Sequence, residues 1–501
     1  MALHKVSKGT YEALRITVIS TPRAPQHEHR HPTLGPTGEH RTLGPAHYSS
    51  VISDTVNRGT SEHQAWRIEI MRVPASTLAA ARRAFVLRIV TLPVSGLAGL
   101  LAARATVSAL GVGGFAVFAL VVGLAALVPI GDLGVGAAVT DAVARRRELG
   151  VEGVQRVLRT SLRVLVGVAA ALSVAAWGCA AMGWWAPLLG LPASQEVEVA
   201  VGAALTLFAA GLPLGLSSRV LLGAERNDIA LAFQGGSGVL TLLIVLLAAG
   251  IRAPLWAFAS APSAGAALAA AAAWPKASAA SQLSLRETVR FAAQRGRAGA
   301  TIAHLARPMV VITAAQPIAF QSDRLLLSHL STLDQVAIYA LAMQISAPFL
   351  GLIWAAGMSL WPVFARRRNN QPVSRHELLT LTGVFSSVGA LLAVVLIAAG
   401  PWAAHFVSKG QIHVGYGVFV AFGALLLVHA SYFPTGMLLT DPSGLRFQAV
   451  TSVFMLVVNL LVSAVLALSL GAPGPILGSV LAIVVAMEIP GLWRAFTIAQ
   501  K

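Results

Sequence analysis

The feature that most constrains the fold is a series of long apolar runs separated by short clusters of arginine. A helix needs about 20 mostly apolar residues to cross the hydrocarbon core of a bilayer. Runs of that length occur at 84–104, 115–139, 157–182, 197–220, 229–250, 254–274, 304–329, 335–364, 379–400, 412–434, 446–469 and 474–496. Charged residues make up 11% of the chain, whereas a soluble domain carries about 25%. We therefore predict an all-α polytopic membrane protein with about twelve transmembrane helices.

Basic residues are unevenly distributed between the predicted loops, which predicts the orientation of the chain. Every second loop is rich in them: Arg145, Arg146, Arg147, Arg156, Arg226, Lys276, Arg286, Arg290, Arg295, Arg297, Arg366, Arg367, Arg368 and Arg375. The other side holds little besides Arg104, Arg252 and Lys409. Because basic loops remain in the cytoplasm, we expect both termini there, in a bacterial inner membrane. Contact with anionic headgroups then explains the net charge of +17 without a nucleic-acid partner.

Residues 1–78 differ from the rest because they are polar and rich in histidine. They lack an apolar run long enough for a signal peptide or a span, so we predict a disordered cytoplasmic tail. His27, His29 and His31 suggest weak metal binding, but a solvated tail is the favoured interpretation. A start of translation at Met71 is an alternative. No cofactor is expected, and a single cysteine excludes an internal disulfide.

An internal repeat divides the chain into two similar halves. The sequence AVFAL at 116–120 returns as AIYAL at 337–341, and VARRR at 143–147 returns as FARRR at 364–368, both 221 residues later. A repeat of six spans keeps both halves in the same orientation, and substrate paths in transporters often lie between such repeats. We predict a tail at 1–78, a six-helix lobe at 79–274, a cytoplasmic linker with an amphipathic helix at 275–303, and a second six-helix lobe at 304–501.

The segments LGVGGFAVFALVVGLAALVPIGDLGVGAAVTDAVARR and FQSDRLLLSHLSTLDQVAIYALAMQISAPFLGLIWAAGMSLWPVFARR resemble spans two, seven and eight of a known family. These are the bacterial polysaccharide flippases of the O-antigen, Wzx type, within the multidrug/oligosaccharidyl-lipid/polysaccharide exporter (MOP) superfamily, whose fold is MATE-like. The resemblance covers about residues 80–500. It implies a non-enzymatic carrier that moves a polyprenyl-pyrophosphate-linked oligosaccharide from the inner to the outer leaflet by alternating access. A polysaccharide polymerase and glycosyltransferases of lipopolysaccharide synthesis are then expected partners.

The stretch IAFQSDRLLLSHL places Asp323 and Arg324 among leucines. Arginine suits a diphosphate through its planar fork of donors, so Arg324 is expected on the cavity wall, where it binds the diphosphate or gates the outer side. Asp323 points about 100° away on the helix and is expected to pair with another helix or to couple an ion. The alternatives are that Arg324 snorkels to the headgroups and Asp323 fixes helix packing.

Other polar residues of the spans are weaker candidates for the substrate site. Gln316, Gln321 and Gln344 suit sugar hydroxyls but also suit hydrogen bonds between helices. Arg88 and Arg307 suit the cytoplasmic entrance but are equally consistent with snorkelling.

Hinge and coupling roles fall to a second group. Asp132 and Gly134 belong to PIGDLGVG, where glycines favour close helix contact and a hinge. Glu488 stands just before Pro490 in the last span, where it would carry a proton, pair with an inward-facing arginine or lie at the membrane interface.

Two other functions remain open. A cation-coupled multidrug exporter of the same superfamily would share the fold but would favour acidic residues in its cavity. A membrane polysaccharide polymerase would place a sizeable loop outside the membrane, whereas the predicted outer loops here are short, the longest at 183–196 and 401–411. A Walker motif is not found, which argues against ATP hydrolysis by this chain.

Overall fold

A computed structural model describes residues 75–127, 135–281, 303–367 and 373–498, with backbone only at 75–90, 303–314, 316, 362 and 366. The predicted tail up to residue 74 and most of the predicted linker lie outside these ranges. We call residues 91–281 the N-lobe and residues 303–498 the C-lobe. The described residues form helices and no strands.

Eight helices form the N-lobe and its lead-in: α1 (Ala75–Ala126), α2 (Val135–Ala144), α3 (Arg146–Ala181), α4 (Trp185–Leu188), α5 (Gln195–Leu214), α6 (Leu216–Gly223), α7 (Asn227–Gly250) and α8 (Leu255–Ser281). The C-lobe contains α9 (Ala303–Leu330), α10 (Leu333–Met358), α11 (Leu360–Arg367), α12 (Arg375–Ser408), α13 (Tyr416–Leu438), α14 (Pro442–Leu470), α15 (Pro473–Ile483), a π-helical turn (Val484–Glu488) and α16 (Ile489–Ile498).

The described helices fit the twelve spans that the sequence predicts. Within the described ranges, ten helices are long and apolar enough to span. One of them, α1, supplies two crossings because Gly111 (φ 71°) breaks it, and residues from both sides of the break line one cavity. Helix α9 adds the remaining crossing with 28 residues. The fold is therefore all-α and polytopic.

Several helix starts are fixed by local capping. The Thr332 and Ser374 side chains accept hydrogen bonds from the backbone N–H groups three residues later, at 3.4 and 3.2 Å. Asp441 caps α14, where Pro442 occupies the first helical position and has no N–H to satisfy. Such caps satisfy helix-end donors that have no partner inside the helix.

The two lobes repeat the same order of spans, which confirms the predicted parallel repeat. AVFAL lies in the second crossing of the N-lobe, and AIYAL lies in α10, the second crossing of the C-lobe. VARRR begins at the end of α2, and FARRR begins in α11, at the corresponding end of each lobe. We call this side, where α3, α7 and α12 begin, the Arg-rich end, and the opposite side the distal end.

The apolar packing differs between the two ends. One core joins the lobes toward the distal end, where Phe115 and Leu189 pack in the same cluster as Leu327 and Tyr339. Toward the Arg-rich end the described residues form separate cores in each lobe. That of the N-lobe includes Val143, Leu158 and Leu221, and that of the C-lobe includes Phe364, Leu378 and Ala495. The lobes therefore share a core distally, while nearer the Arg-rich end α1 still lies against α10, where a Cβ on Gly351 would lie 3.8 Å from Cδ2 of Leu92.

Several helices continue past the predicted apolar runs. Helix α8 reaches Ser281, beyond the predicted limit of the first lobe at 274 and into the predicted linker. Helix α3 begins at Arg146, so much of the predicted basic loop is helical. Helix α12 begins at Arg375, where Glu377 forms an ion pair with Arg367 across the turn. Charged residues extend these helices beyond the hydrocarbon layer, where backbone hydrogen bonds still form.

The orientation can be tested by cysteine labelling. In a Cys179→Ser background, we expect Ala193→Cys at the distal end to react with an impermeant maleimide in spheroplasts. Arg147→Cys at the Arg-rich end should react only after the membrane is permeabilised, because basic loops remain in the cytoplasm. Both positions are exposed. The reverse pattern would invert the orientation, and equal labelling of both would contradict the topology.

Candidate functional site: a cavity between the lobes

A cavity of about 290 Å³ lies between the lobes. Its N-lobe walls come from both halves of α1 and from α7 and α8, and its C-lobe walls come from α9 and α10. Its polar lining consists of Ser95, Thr241, Arg324 and Gln344. Carboxylates are not found among the described residues that line it. The cavity is therefore uncharged except for one guanidinium.

Arg324 joins the two lobes at this cavity. It lies on α9 six residues before the end of the helix, about 9 Å from the distal end. Its Nη1 donates a hydrogen bond of 3.0 Å to the backbone oxygen of Ala119 in α1. Its Nε has no partner among the described residues. The guanidinium is thus held by the opposite lobe and retains donors that can bind an anion.

The close approach of α1 and α9 depends on a missing side chain. A Cβ placed on Gly123 would lie 3.3 Å from Nη1 of Arg324 and 3.9 Å from Oε1 of Gln321. On the same helix, a Cβ on Gly99 would lie 2.8 Å from Nε2 of Gln344. Glycine at these positions lets α1 lie directly against three of the predicted polar residues.

Asp323 points away from the cavity into the C-lobe. Its Oδ2 accepts hydrogen bonds from the Tyr339 hydroxyl at 3.0 Å and from the Ser479 hydroxyl at 3.4 Å. Ser479 also accepts a hydrogen bond of 2.7 Å from Asn459 Nδ2. Asp323 is 1% exposed and forms no ion pair with Arg324 within the described ranges. The two neighbouring charges therefore belong to different environments.

Two buried oxygen atoms in the cluster around Asp323 have no hydrogen-bond donor among the described residues. Oδ1 of Asp323 and Oδ1 of Asn459 find no hydrogen-bond partner among the described residues, although both residues are fully buried. An unpaired buried carboxylate oxygen is costly. The unpaired oxygen of Asp323, in a cluster that also contains the buried hydroxyl of Ser463, can take up a proton or a small cation.

A second cavity, of about 270 Å³, adjoins the first inside the N-lobe. Neighbouring residues line the two cavities: Ser237 and Gly238 on α7, and Ser263 and Pro262 on α8. The second cavity lies nearer the Arg-rich end and is lined by Ser217, Ser218 and Gln234 in addition. The two cavities are neighbours, and each has a mostly apolar lining with a minority of hydroxyls and amides.

Sequence reasoning missed the serines of the second cavity. Ser217 donates to the backbone oxygen of Ala270 at 2.8 Å, and Ser237 donates to that of Gln234 at 2.6 Å. Their oxygens can still accept hydrogen bonds from a ligand hydroxyl. No sequence signal marks them, because Ser217 and Ser237 lie in the spans predicted at 197–220 and 229–250, where serine is equally typical of close helix packing.

The remaining predicted site residues are not brought together by the described structure. Glu488 ends the π-helical turn beside Ser431, and Pro490 follows in α16, so neither lines the central cavity. A π-helical turn inside a helix is common at functional positions, which leaves their hinge role a prediction. Asp132 and Gly134 lie outside the described residues. Arg88, Arg307 and Gln316 lie on helices, but their side chains lie outside the described part.

Solved structures with similar folds were found, whereas no protein-family model and no curated protein sequence matches the chain. An inward-facing multidrug resistance MATE family transporter of the MOP superfamily aligns at TM-score 0.57 and 17% identity, covering 82% of this chain and 98% of the other. Lipid II flippase MurJ, in an inward closed conformation, aligns at TM-score 0.57 and 13% identity, with coverages of 82% and 90%. The Vibrio cholerae MATE transporter VcmN, in the bent form, aligns at TM-score 0.52 and 18% identity, with coverages of 85% and 100%. At these identities the likeness shows the fold, which is the predicted MATE-like fold.

The contact at Arg324 can be tested by filling the space beside it. Gly123→Leu should displace the guanidinium from Ala119 and lower the thermal unfolding midpoint in detergent, because overpacking costs about 1–3 kcal/mol. Gly113→Leu is the matched control, since a Cβ there would meet nothing within 4 Å. Equal midpoints for the two variants would contradict the close contact.

Proposed function

We propose that this chain is a flippase that moves a polyprenyl-pyrophosphate-linked oligosaccharide from the inner to the outer leaflet of a bacterial inner membrane. The supporting observation is Arg324, the one described charge on a cavity between the lobes whose other polar lining residues are Ser95, Thr241 and Gln344. A diphosphate cannot enter hydrocarbon unaided, and a guanidinium with free donors can bind it. The serines and Gln234 among the lining of the second cavity can hydrogen-bond sugar hydroxyls.

The direction of transport follows from the two ends of the molecule. The lobes share a core distally and have separate cores toward the Arg-rich end. Under the predicted orientation, the Arg-rich end faces the cytoplasm, and cargo from the inner leaflet would enter from that end. Release requires the distal core and the Arg324–Ala119 contact to separate. A phosphate bound to Arg324 would compete with the Ala119 oxygen and favour that separation.

A multidrug exporter would share the fold, and two of the similar structures are MATE transporters. An exporter of organic cations requires a negative or aromatic site for them. The described lining of the central cavity offers two phenylalanines, Phe115 and Phe118, but a positive charge and no carboxylate. A cation would be repelled by Arg324, which favours the anionic cargo.

Asp323 is proposed as the coupling group. It is a buried acid with one oxygen that has no partner among the described residues, and it directly precedes the proposed cargo-binding residue Arg324. A cation that binds Asp323 would alter the packing of α9 against α14 and α15, and α9 carries Arg324. In this scheme glycosyltransferases supply the loaded lipid on the cytoplasmic side, and a polymerase uses it on the other.

Deletion of the gene tests the cargo. We expect undecaprenyl-linked oligosaccharide to accumulate and to remain inaccessible to externally added probes, because the inner-leaflet pool cannot cross. Unchanged lipid intermediates, with increased sensitivity to cationic drugs, would instead identify the exporter.

Complementation of the deletion strain tests the site. Arg324→Ala should abolish complementation, since it removes the only described cation of the cavity, whereas Arg324→Lys should retain part of it because a charge remains without the fork of donors. Arg252→Ala, in an exposed distal turn, is the control for a lost positive charge. Full complementation by Arg324→Ala at normal expression would refute this role.

Replacement of Asp323 tests coupling. In vesicles, we expect transport by the wild type to respond to an imposed proton or sodium gradient, and Asp323→Asn to lose that response because the amide cannot carry the charge. Asp334→Asn, exposed at the start of α10, should behave like the wild type. If Asp323→Asn retains the wild-type gradient response, another group couples the ion.

A further inference from the structure

Two cations line a separate cavity at the distal end. This cavity, of about 520 Å³, is lined by Arg104, Lys409 and apolar or small residues of α1 and α7. Leu242 and Leu246 of α7 line it, whereas Gly238 and Thr241 line the central cavity. Leu246 is 49% exposed, as the lipid-facing surface of a span would be. The cavity therefore lies on the outer flank of the α1–α7 pair.

Both cations are set in place by the end of α12. Arg104 donates from Nη1 to the backbone oxygen of Phe406, and its Cζ lies 4.4 Å from the centre of the Phe406 ring. Lys409 follows three residues later in the left-handed conformation (φ 53°) that ends α12. Carboxylates are not found among the described residues that line this cavity. Two positive charges therefore face the same space without local compensation.

Arg104 resembles Arg324 in its sequence surroundings. RATVSAL at 104–110 matches RLLLSHL at 324–330 at arginine, serine and leucine, at an offset of 220 residues, one less than the repeat described above. Each arginine also donates to a backbone oxygen of the opposite lobe. The fold thus presents two related guanidiniums, one in the central cavity and one on the distal flank.

We propose that Arg104 and Lys409 form a second binding site, which takes the phosphate of a lipid in the distal leaflet. A guanidinium fork and an ammonium suit phosphate oxygens, and the leucine wall of α7 suits the hydrocarbon chain attached to them. This proposal rests on the proposed function in one respect: the preferred lipid is the diphosphate carrier after it leaves Arg324. The site would hold the headgroup as the lobes close behind it.

Binding can be measured on the full chain in phosphatidylcholine nanodiscs titrated with undecaprenyl diphosphate, with bound lipids counted by native mass spectrometry. We expect two bound lipids for the wild type and one for Arg324→Ala, which isolates the distal site. In the Arg324→Ala background, Lys409→Gln should weaken the remaining site about tenfold, the size of one lost charge-assisted contact. Adding Arg104→Gln should abolish it.

Lys409→Gln keeps the proposal testable if Arg104→Gln disturbs the fold, because the Lys409 side chain is not the one that contacts Phe406. Arg252→Gln, another distal cation, is the matched control and should bind like its parent. The proposal is overturned if Lys409→Gln and Arg104→Gln leave the lipid count and affinity unchanged.

Competition identifies the source of the phosphate. Displacement by phosphatidylglycerol would support a lipid-phosphate site that also takes phospholipids. Displacement by inorganic pyrophosphate at the same concentration would overturn the lipid requirement, since a free anion would suffice. The proposed function fails separately, when Arg324→Ala complements the deletion strain, so the two failures cannot be confused.

Discussion

A guanidinium inside the hydrocarbon layer costs about 2.5–3.5 kcal/mol on insertion scales unless protein or water solvates it. In this chain the solvation of Arg324 comes from the opposite lobe, through the backbone oxygen of Ala119. The charge can be kept only where the lobes meet around a polar cavity, and the glycine at 123 is needed for the helices to approach that closely. The same contact that stabilises the charge therefore joins the two halves of the molecule at the distal end.

The two lobes divide the polar chemistry between them. The N-lobe contributes serines, an amide and small residues to the cavities, whereas the C-lobe contributes Arg324 and, behind it, the buried cluster around Asp323. In the proposed transporter, ion binding at Asp323 would have to move the cargo-binding residue. The two residues are consecutive on α9, so a shift of one displaces the other.

The fold was largely predictable because the lengths of the apolar runs and the internal repeat can be read directly from the sequence. Twelve apolar runs, two pairs of segments repeated 221 residues apart and alternating arginine clusters predict the observed order of spans. The site was predictable only in part. Arg324 stands out because placing a charge among leucines in a membrane costs free energy in any arrangement. Ser217 and Ser237 do not stand out, since a serine in an apolar span costs little free energy and serves helix packing as readily as binding. Lys409 was assigned to a loop, with no indication that it would share a cavity with Arg104.

The sequence alone determined that the chain spans a membrane as two like-oriented halves, because apolar length, loop charge and repetition act locally and need no knowledge of neighbouring helices. It also determined that Asp323 and Arg324 point in different directions, because helical geometry sets the angle between consecutive side chains. Only the tertiary structure decided what each of them meets: Ala119 for one, Tyr339 and Ser479 for the other. Those partners lie 16 to 205 residues away along the chain. Which helix faces which is decided by side-chain packing across the lobes, and that information is not contained in any single run of residues.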